Sequence, residues 1–366
     1  MNRTGLTDWA GGICAAAMFV SFALAAGSAL ALTNDEIFNY QGADRDKMLE
    51  EGARKEGSVV LYSSMIVNQV QRPIAEAFHA KYPFIDIKYW RGTAEDIVAK
   101  VQAETQAHNA IADVVEGSGL TGGVDEAHVA APFTSKYSAI LPPSYIAPDR
   151  TAITTRFRYI ALGYNTRYVS KDEAPKTYQD LLDPKWKGKM AWAVGSGESG
   201  ALIIITALRA AWGEAKADDY FSKLAPQQIA SLAVSNRAVM DAVVSGQYWI
   251  GLGISAHHPI ISASKGAPSA TVLLDPVPAL SDAIQVLKAT KHPYSAMLLV
   301  DFMLSPQVQT MLQKAEYFPS NPDVQPADIL RPIVPRNAGV PQIDITPEMS
   351  VVETPKSAQL FQKYFR

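Results

Sequence analysis

Cysteine is almost absent: the 366-residue chain holds one, Cys14. A single thiol excludes an intramolecular disulfide framework and any zinc or iron–sulfur site built on several cysteines. Charge of one sign is equally scarce. Thirty-three basic residues face 36 acidic ones, a formal net charge of −3, so nothing favours a nucleic-acid backbone or an anionic membrane as partner. Charged residues make up 19% against 48% hydrophobic, with 23 Gly and 23 Pro, which excludes collagen-like and disordered classes. Catalytic motifs are missing too: there is no G-x-S-x-G elbow, no P-loop and no H-E-x-x-H pair. What remains is a near-neutral globular protein with room for about two domains.

The one long apolar run is at the start. Arg3 precedes a stretch from Ile13 to Ala26, followed by the small-x-small sequence Ala29-x-Ala31. This predicts a secretory signal peptide over residues 1–31, cleaved after Ala31 and taking Cys14 with it. A retained anchor fits less well, because the run is shorter than the ~20 residues a span needs and Gly27 and Ser28 break it. A thiol-free exported chain cannot misoxidise, and the expected location is the periplasm.

Beyond a lead-in over 32–57, strands and helices alternate. Ser58–Tyr62 reads as a buried strand, Ile74–Tyr82 as a helix stopped by Pro83, and Ile85–Tyr89 as a strand leading to Arg91-Gly92-Thr93. Thr93 is a candidate N-cap for a helix carrying Ile97, Val98 and Val101, and Ala112–Val115 is a third strand. This βαβαβ order predicts a largely parallel sheet. A second unit starts near Tyr159–Asn165, with a strand Met190–Val194, a helix Ala201–Trp212, a strand near Leu232–Val234, a helix Arg237–Val244 and a strand Ile250–Ile254. Val272–Leu274 is the expected crossing back between the units. Pro293 and Pro306 suit first turns of helices, and residues 321–366 read as a Pro-rich extension with a short helix, Lys356–Tyr364.

Gly117–Gly122 and Gly195–Gly200 both fit G-x-G-x-x-G, but neither is followed by the strand-borne acid a dinucleotide site asks for. No cofactor is expected. The physics of such turns survives: a strand end opening into a helix start presents free N–H groups that suit an anion. His257-His258, next to Pro259, is a candidate metal pair only if both lie on a loop; the alternative is a pocket-lining pair.

Several segments resemble the periplasmic solute-binding proteins of ABC importers, in the cluster that includes the ferric-ion binders. They are Glu56–Ser64, Ala77-Phe78-x-x-Lys81-Tyr82-Pro83, Ala112-Asp113-Val114, Tyr164-Asn165-Thr166 with Thr177–Lys189, and Lys291-His292-Pro293 through Asp301–Gln309. The resemblance implies an α/β protein of the type II periplasmic-binding class, two lobes joined by crossing strands with a ligand cleft between them. Lobe one is expected over 58–158 with a return segment about 276–320, and lobe two over 159–275. The ferric site of the cluster carries over poorly. Ile66 stands at the position of an early His, Glu116 lies about two residues from the expected acid, and Ala256-His257-His258 replaces a tyrosine pair. Hard Fe³⁺ favours phenolate and carboxylate oxygen. Ser199-Gly200-Ala201 and Asn236 match the anion-contacting positions better.

The expected function is a non-enzymatic receptor for a small anionic solute, a monomer that delivers it to an ABC permease in the inner membrane. Its ligand set is Tyr62, Ser63, Ser64, Arg91, Gly92 and Ser118 from lobe one, and Ser199, Gly200, Asn236, Arg237 and His257 from lobe two. A ferric or other metal-ion binder using His257 and His258, a periplasmic sensor subunit and an exported enzyme on the same scaffold are the alternatives.

Overall fold

The computed structural model describes residues 32–118, 120, 123–124, 127–195 and 199–366. The expected leader 1–31 lies outside the described residues, as do Gly119, Thr121, Gly122 and residues 196–198 of the two glycine motifs. Thr33–Arg366 packs as one compact unit.

The first lobe is built on parallel strands β1 (Ser58–Ser63), β2 (Asp86–Arg91) and β3 (Val114–Gly117), with β1 in the middle and Leu61 facing Tyr89 on one side and Val114 on the other. Parallel neighbours need crossover connections. Helices Arg72–Lys81 and Ala94–Gln106 supply them, the second entered through a capping box between Thr93 and Asp96. A short strand, β4 (Ala130–Ala131), follows.

β5 (Ile153–Asn165) then leaves this lobe for the second one. There, β6 (Met190–Ala193), β7 (Ala230–Leu232) and β8 (Ile250–Ser255) run parallel, with β9 (Ser269–Val272) antiparallel to the far end of β5. β10 (Val277–Leu287) carries the chain back, antiparallel to both β5 and β3. The spatial order is β2-β1-β3-β10-β5-β8-β6-β7. The return therefore does not fall at Val272–Leu274, because Val272 closes β9 inside the second lobe. The true crossing begins just past Pro276 and contains Pro278, residues that disguise a strand pattern.

Each lobe has its own core. Phe78, Val114, Ile284 and Phe302 meet in the first, closed by helices Pro293–Leu304 and Pro306–Lys314, each with proline in its first turn. Ser305 caps the second of these through the Val308 N–H. Trp192, Phe221, Leu252 and Tyr178 fill the other lobe.

The C-terminal residues are a correction. After β11 (Phe318–Pro319), β12 (Gln342–Ile345) joins the start of β10 as a parallel partner, Val277 facing Gln342. Thr346 then caps a helix spanning Pro347–Phe365, much longer than Lys356–Tyr364. Pro355 truncates the sequence reading but sits inside the helix. Leu360 and Phe361 enter the second core, the Phe361 ring 5.9 Å from Trp192, and Ser357 bonds Thr206 at 2.8 Å.

Candidate functional site

The carboxyl ends of β1, β2 and β3 on one lobe, and of β6, β7 and β8 on the other, open onto one cleft of about 1310 Å³. Strand ends of open α/β sheets are where ligands bind. On the second lobe each strand feeds a helix start: β6 leads to Gly200–Trp212, β7 to Asn236–Ser245 and β8 to His257–Ser264. Three positive dipole ends thus converge on the cavity. Ser199 precedes the first of these helices without bonding its N–H groups, and among the described residues its buried Oγ has no partner.

The glycine turn is fixed by contact, not by flexibility alone. Gly200 packs so closely on β8 that a Cβ there would lie 2.6 Å from the Gly253 carbonyl oxygen, and Gly253 itself has φ +67°. Asn236 Oδ1 accepts the Gly200 N–H at 3.1 Å, tying two helix starts together.

The floor of the cleft is charged. Arg156 and Arg158, alternate residues of β5, both point into it. Arg156 is 3% exposed, yet it reaches Glu116 at 3.2 Å, Asp282 at 2.8 Å and the Ser64 hydroxyl at 3.2 Å. Arg158 lies 3.6 Å from the other Asp282 oxygen and bonds Ser118 Oγ. Glu116, wholly buried, also accepts from Ser63 at 2.7 Å and Thr155 at 2.9 Å. Burial opposes the charge on Arg156, but Asp282 and Glu116 hold its pKa above the ordinary arginine value.

His257 and His258 stand beside these arginines, ring centroids 4.5 Å apart, both Nδ1 atoms buried without a partner. Burial pushes His257 well below its usual pKa, with His258, Arg158, Arg156 and Arg237 adding to the effect. His258 is lowered to about 3 by burial, Arg237 and Arg158. Both imidazoles are therefore neutral at pH 7. For His258 the unfolded chain takes up a proton near pH 6.5 and the folded one near 3, so stability falls as pH drops through that window. The loss expected from His258 is about 1–2 kcal/mol at pH 5, allowing for its partial exposure to the cleft. Urea unfolding at pH 7.5 and 5 checks it: His258→Gln should flatten the difference, and an unchanged slope would refute the assignment.

The sequence-predicted residues divide. Ser64, Arg91, Gly92, Ser118, Ser199, Asn236, Arg237 and His257 all line the cleft, with Gly200 immediately behind. Tyr62 does not: it is 2% exposed and its hydroxyl donates to Glu104 at 2.6 Å inside the first lobe, because neighbouring strand residues face opposite sides. Ser63 is buried and acts behind the site, on Glu116. Sequence reading missed Arg156, Arg158, Asp282 and Tyr317. A signal was present in the alternation Arg156-Phe157-Arg158, two cations spaced on one face of a buried strand. For a metal, the chemistry is unfavourable. His257 and His258 face arginines, Glu116 and Asp282 are engaged by Arg156, and among the described residues no group of three or more His, Cys, Asp or Glu is placed to hold an ion.

Two α/β lobes, strands crossing between them and a polar cleft at the strand ends define a bilobal binding protein. The family model described as bacterial extracellular solute-binding protein matches residues 73–339, and the chain belongs to that family. Its members bind solutes and are not enzymes. The Fe(3+)-binding periplasmic protein of Serratia marcescens is 26% identical over 276 residues, 73% of this chain and 80% of that protein. In fold, iron-bound HitA of Pseudomonas aeruginosa superposes with TM-score 0.70 at 23% identity, covering 84% of this chain and 99% of HitA. AfuA of Actinobacillus pleuropneumoniae, solved with fructose-6-phosphate, superposes with TM-score 0.66 at 22% identity over 84% of this chain and 98% of its own. No helix among the described residues is long and apolar enough to cross a membrane.

Proposed function

We propose that this protein is the periplasmic receptor of an ABC importer for a small anionic solute, captured between the lobes and handed to an inner-membrane permease. One observation carries the reading. The cleft brings three helix starts, the unpartnered Ser199 hydroxyl and the guanidinium groups of Arg158 and Arg237 to a single cavity. Guanidinium forks and helix N-termini both recognise phosphoryl and carboxylate oxygens. A solute touching Arg158 on β5 and Ser199 on the second lobe binds the closed form better than the open one, and so shifts the population towards closure. Family members of this kind deliver their solute to ABC permeases, which supports the transport half of the reading.

A second reading is favoured by the relatives: ferric ion as the cargo, as the Serratia marcescens protein's name says of that protein. Thermal unfolding of the purified protein with phosphate, methylphosphonate, citrate and ferric citrate separates them. A ligand at 1,000 times its Kd adds about 4 kcal/mol. The anion reading expects stabilisation by a metal-free anion, and at least ~10-fold weaker binding in Arg158→Gln with its unliganded unfolding midpoint little changed. Stabilisation by the ferric compound alone would overturn it.

A further inference from the structure

Two large aliphatic side chains are left facing water inside the charged cleft. Ile66, on the first lobe, is 47% exposed, and Val234, on the second, is 45% exposed. A lone exposed aliphatic is ordinary. Here, however, one from each lobe lines the same cavity, with the Tyr317 ring, the neutral imidazole of His257 and Ile261 completing an apolar part of the lining. Both positions are held by their backbones. The Ile66 carbonyl accepts from Val70 at 3.0 Å and Gln71 at 3.2 Å, while the Val234 N–H donates to Leu232 at 2.8 Å just before the Ser235 cap. Both side chains are also β-branched and stiff at χ1, so little freedom is lost when they are covered.

We propose that the solute is an organic anion with an apolar or aromatic body: its charged group sits at the arginines and helix starts, and its body is covered by Ile66 and Val234. This rests on the anion reading above and adds the class of the rest of the molecule. Closing the lobes on a sugar-like body would leave both aliphatic groups against hydroxyls, whereas an apolar body removes them from water at about 0.8 kcal/mol per buried CH₂. Ile66 and Val234 are then specificity-determining residues.

Calorimetric titration of the full chain with inorganic phosphate, glycerol phosphate, methylphosphonate, butylphosphonate and phenylphosphonate tests this. The expected result is that butyl- or phenylphosphonate binds at least ~10-fold tighter than methylphosphonate. Ile66→Ser and Val234→Ser, both at exposed positions that the fold tolerates, should erase most of that ratio while moving methylphosphonate affinity by no more than ~3-fold. If the variants weaken methylphosphonate and phenylphosphonate equally, the two side chains touch each other across the closed cleft instead, and the proposal fails. Glycerol phosphate binding as tightly as phenylphosphonate also overturns it, with the anion reading left standing. Absence of binding by every anion tested removes the anion reading itself, and this inference with it.

Discussion

Replacing Arg156 with leucine should lower the free energy of unfolding by about 3–5 kcal/mol, read from urea denaturation at neutral pH. Glu116 and Asp282 are 0% and 1% exposed, and both pair with this guanidinium, at 3.2 Å and 2.8 Å. Taking it away leaves two carboxylates out of water. Arg158 remains only 3.6 Å from one Asp282 oxygen, and Glu116 keeps two hydroxyl donors, Ser63 and Thr155, which lack charge. Breaking a buried pair costs far more than the pair contributes over a well-packed apolar substitute. Arg156→Leu combined with Glu116→Gln should therefore recover part of the loss, and a double-mutant cycle measures the coupling. A single-mutant loss under ~1 kcal/mol would show that water reaches the carboxylates and that the cluster is not a structural unit. Arg156 thereby acts differently from Arg158. The first holds the crossing strands together, and the second, 19% exposed in its side chain against 4%, is the more open to the cavity.

Gly253→Ala should cost roughly 2–5 kcal/mol and weaken anion binding at least ~10-fold. Two penalties add. A Cβ at φ +67° lies in the left-handed region, which costs a non-glycine residue about 1–2 kcal/mol. It also collides with the backbone of Gly200, whose N–H is tied to Asn236 and which cannot retreat as a flexible side chain would. The start of helix Gly200–Trp212 has to move, and the Ser199 hydroxyl with it. Gly57 provides the control: its φ is +68° and nothing lies within 4 Å of a Cβ built there. Gly57→Ala should show the conformational penalty alone and leave binding intact. Equal losses from the two alanines would mean that the Gly200–Gly253 approach does not matter.

How far the sequence could be read follows from what each element buries. The first strand was legible because Ser58–Tyr62 is a short apolar run, and the third was read at Ala112–Val115, two residues before the observed Val114–Gly117, because Val114 and Val115 mark it and Glu116 breaks the pattern. β5 was legible only from Tyr159 onward. Its first half, Ile153–Arg158, contains two threonines and two arginines, and the partners of Arg156, Glu116 and Asp282, are 40 or more residues away in sequence. No local pattern announces a charge cluster assembled from three strands. Ser199, Asn236 and His257 all line the cleft; Ser199 follows a glycine turn visible locally in the sequence, whereas Asn236 and His257 were expected there from the family resemblance. Tyr62 was misplaced for the opposite reason: a residue at a strand end can face either side, and only the neighbouring Glu104 decides it.

The late segments of the chain bear on how it is made. The first core needs Ile284 and Phe302, and the second needs Leu360 and Phe361. A ribosome therefore finishes almost the whole polypeptide before the second lobe can seal. The first core is complete once helix Pro306–Lys314 is made, whereas the second waits for the C-terminal helix Pro347–Phe365, so the lobes can seal one after the other.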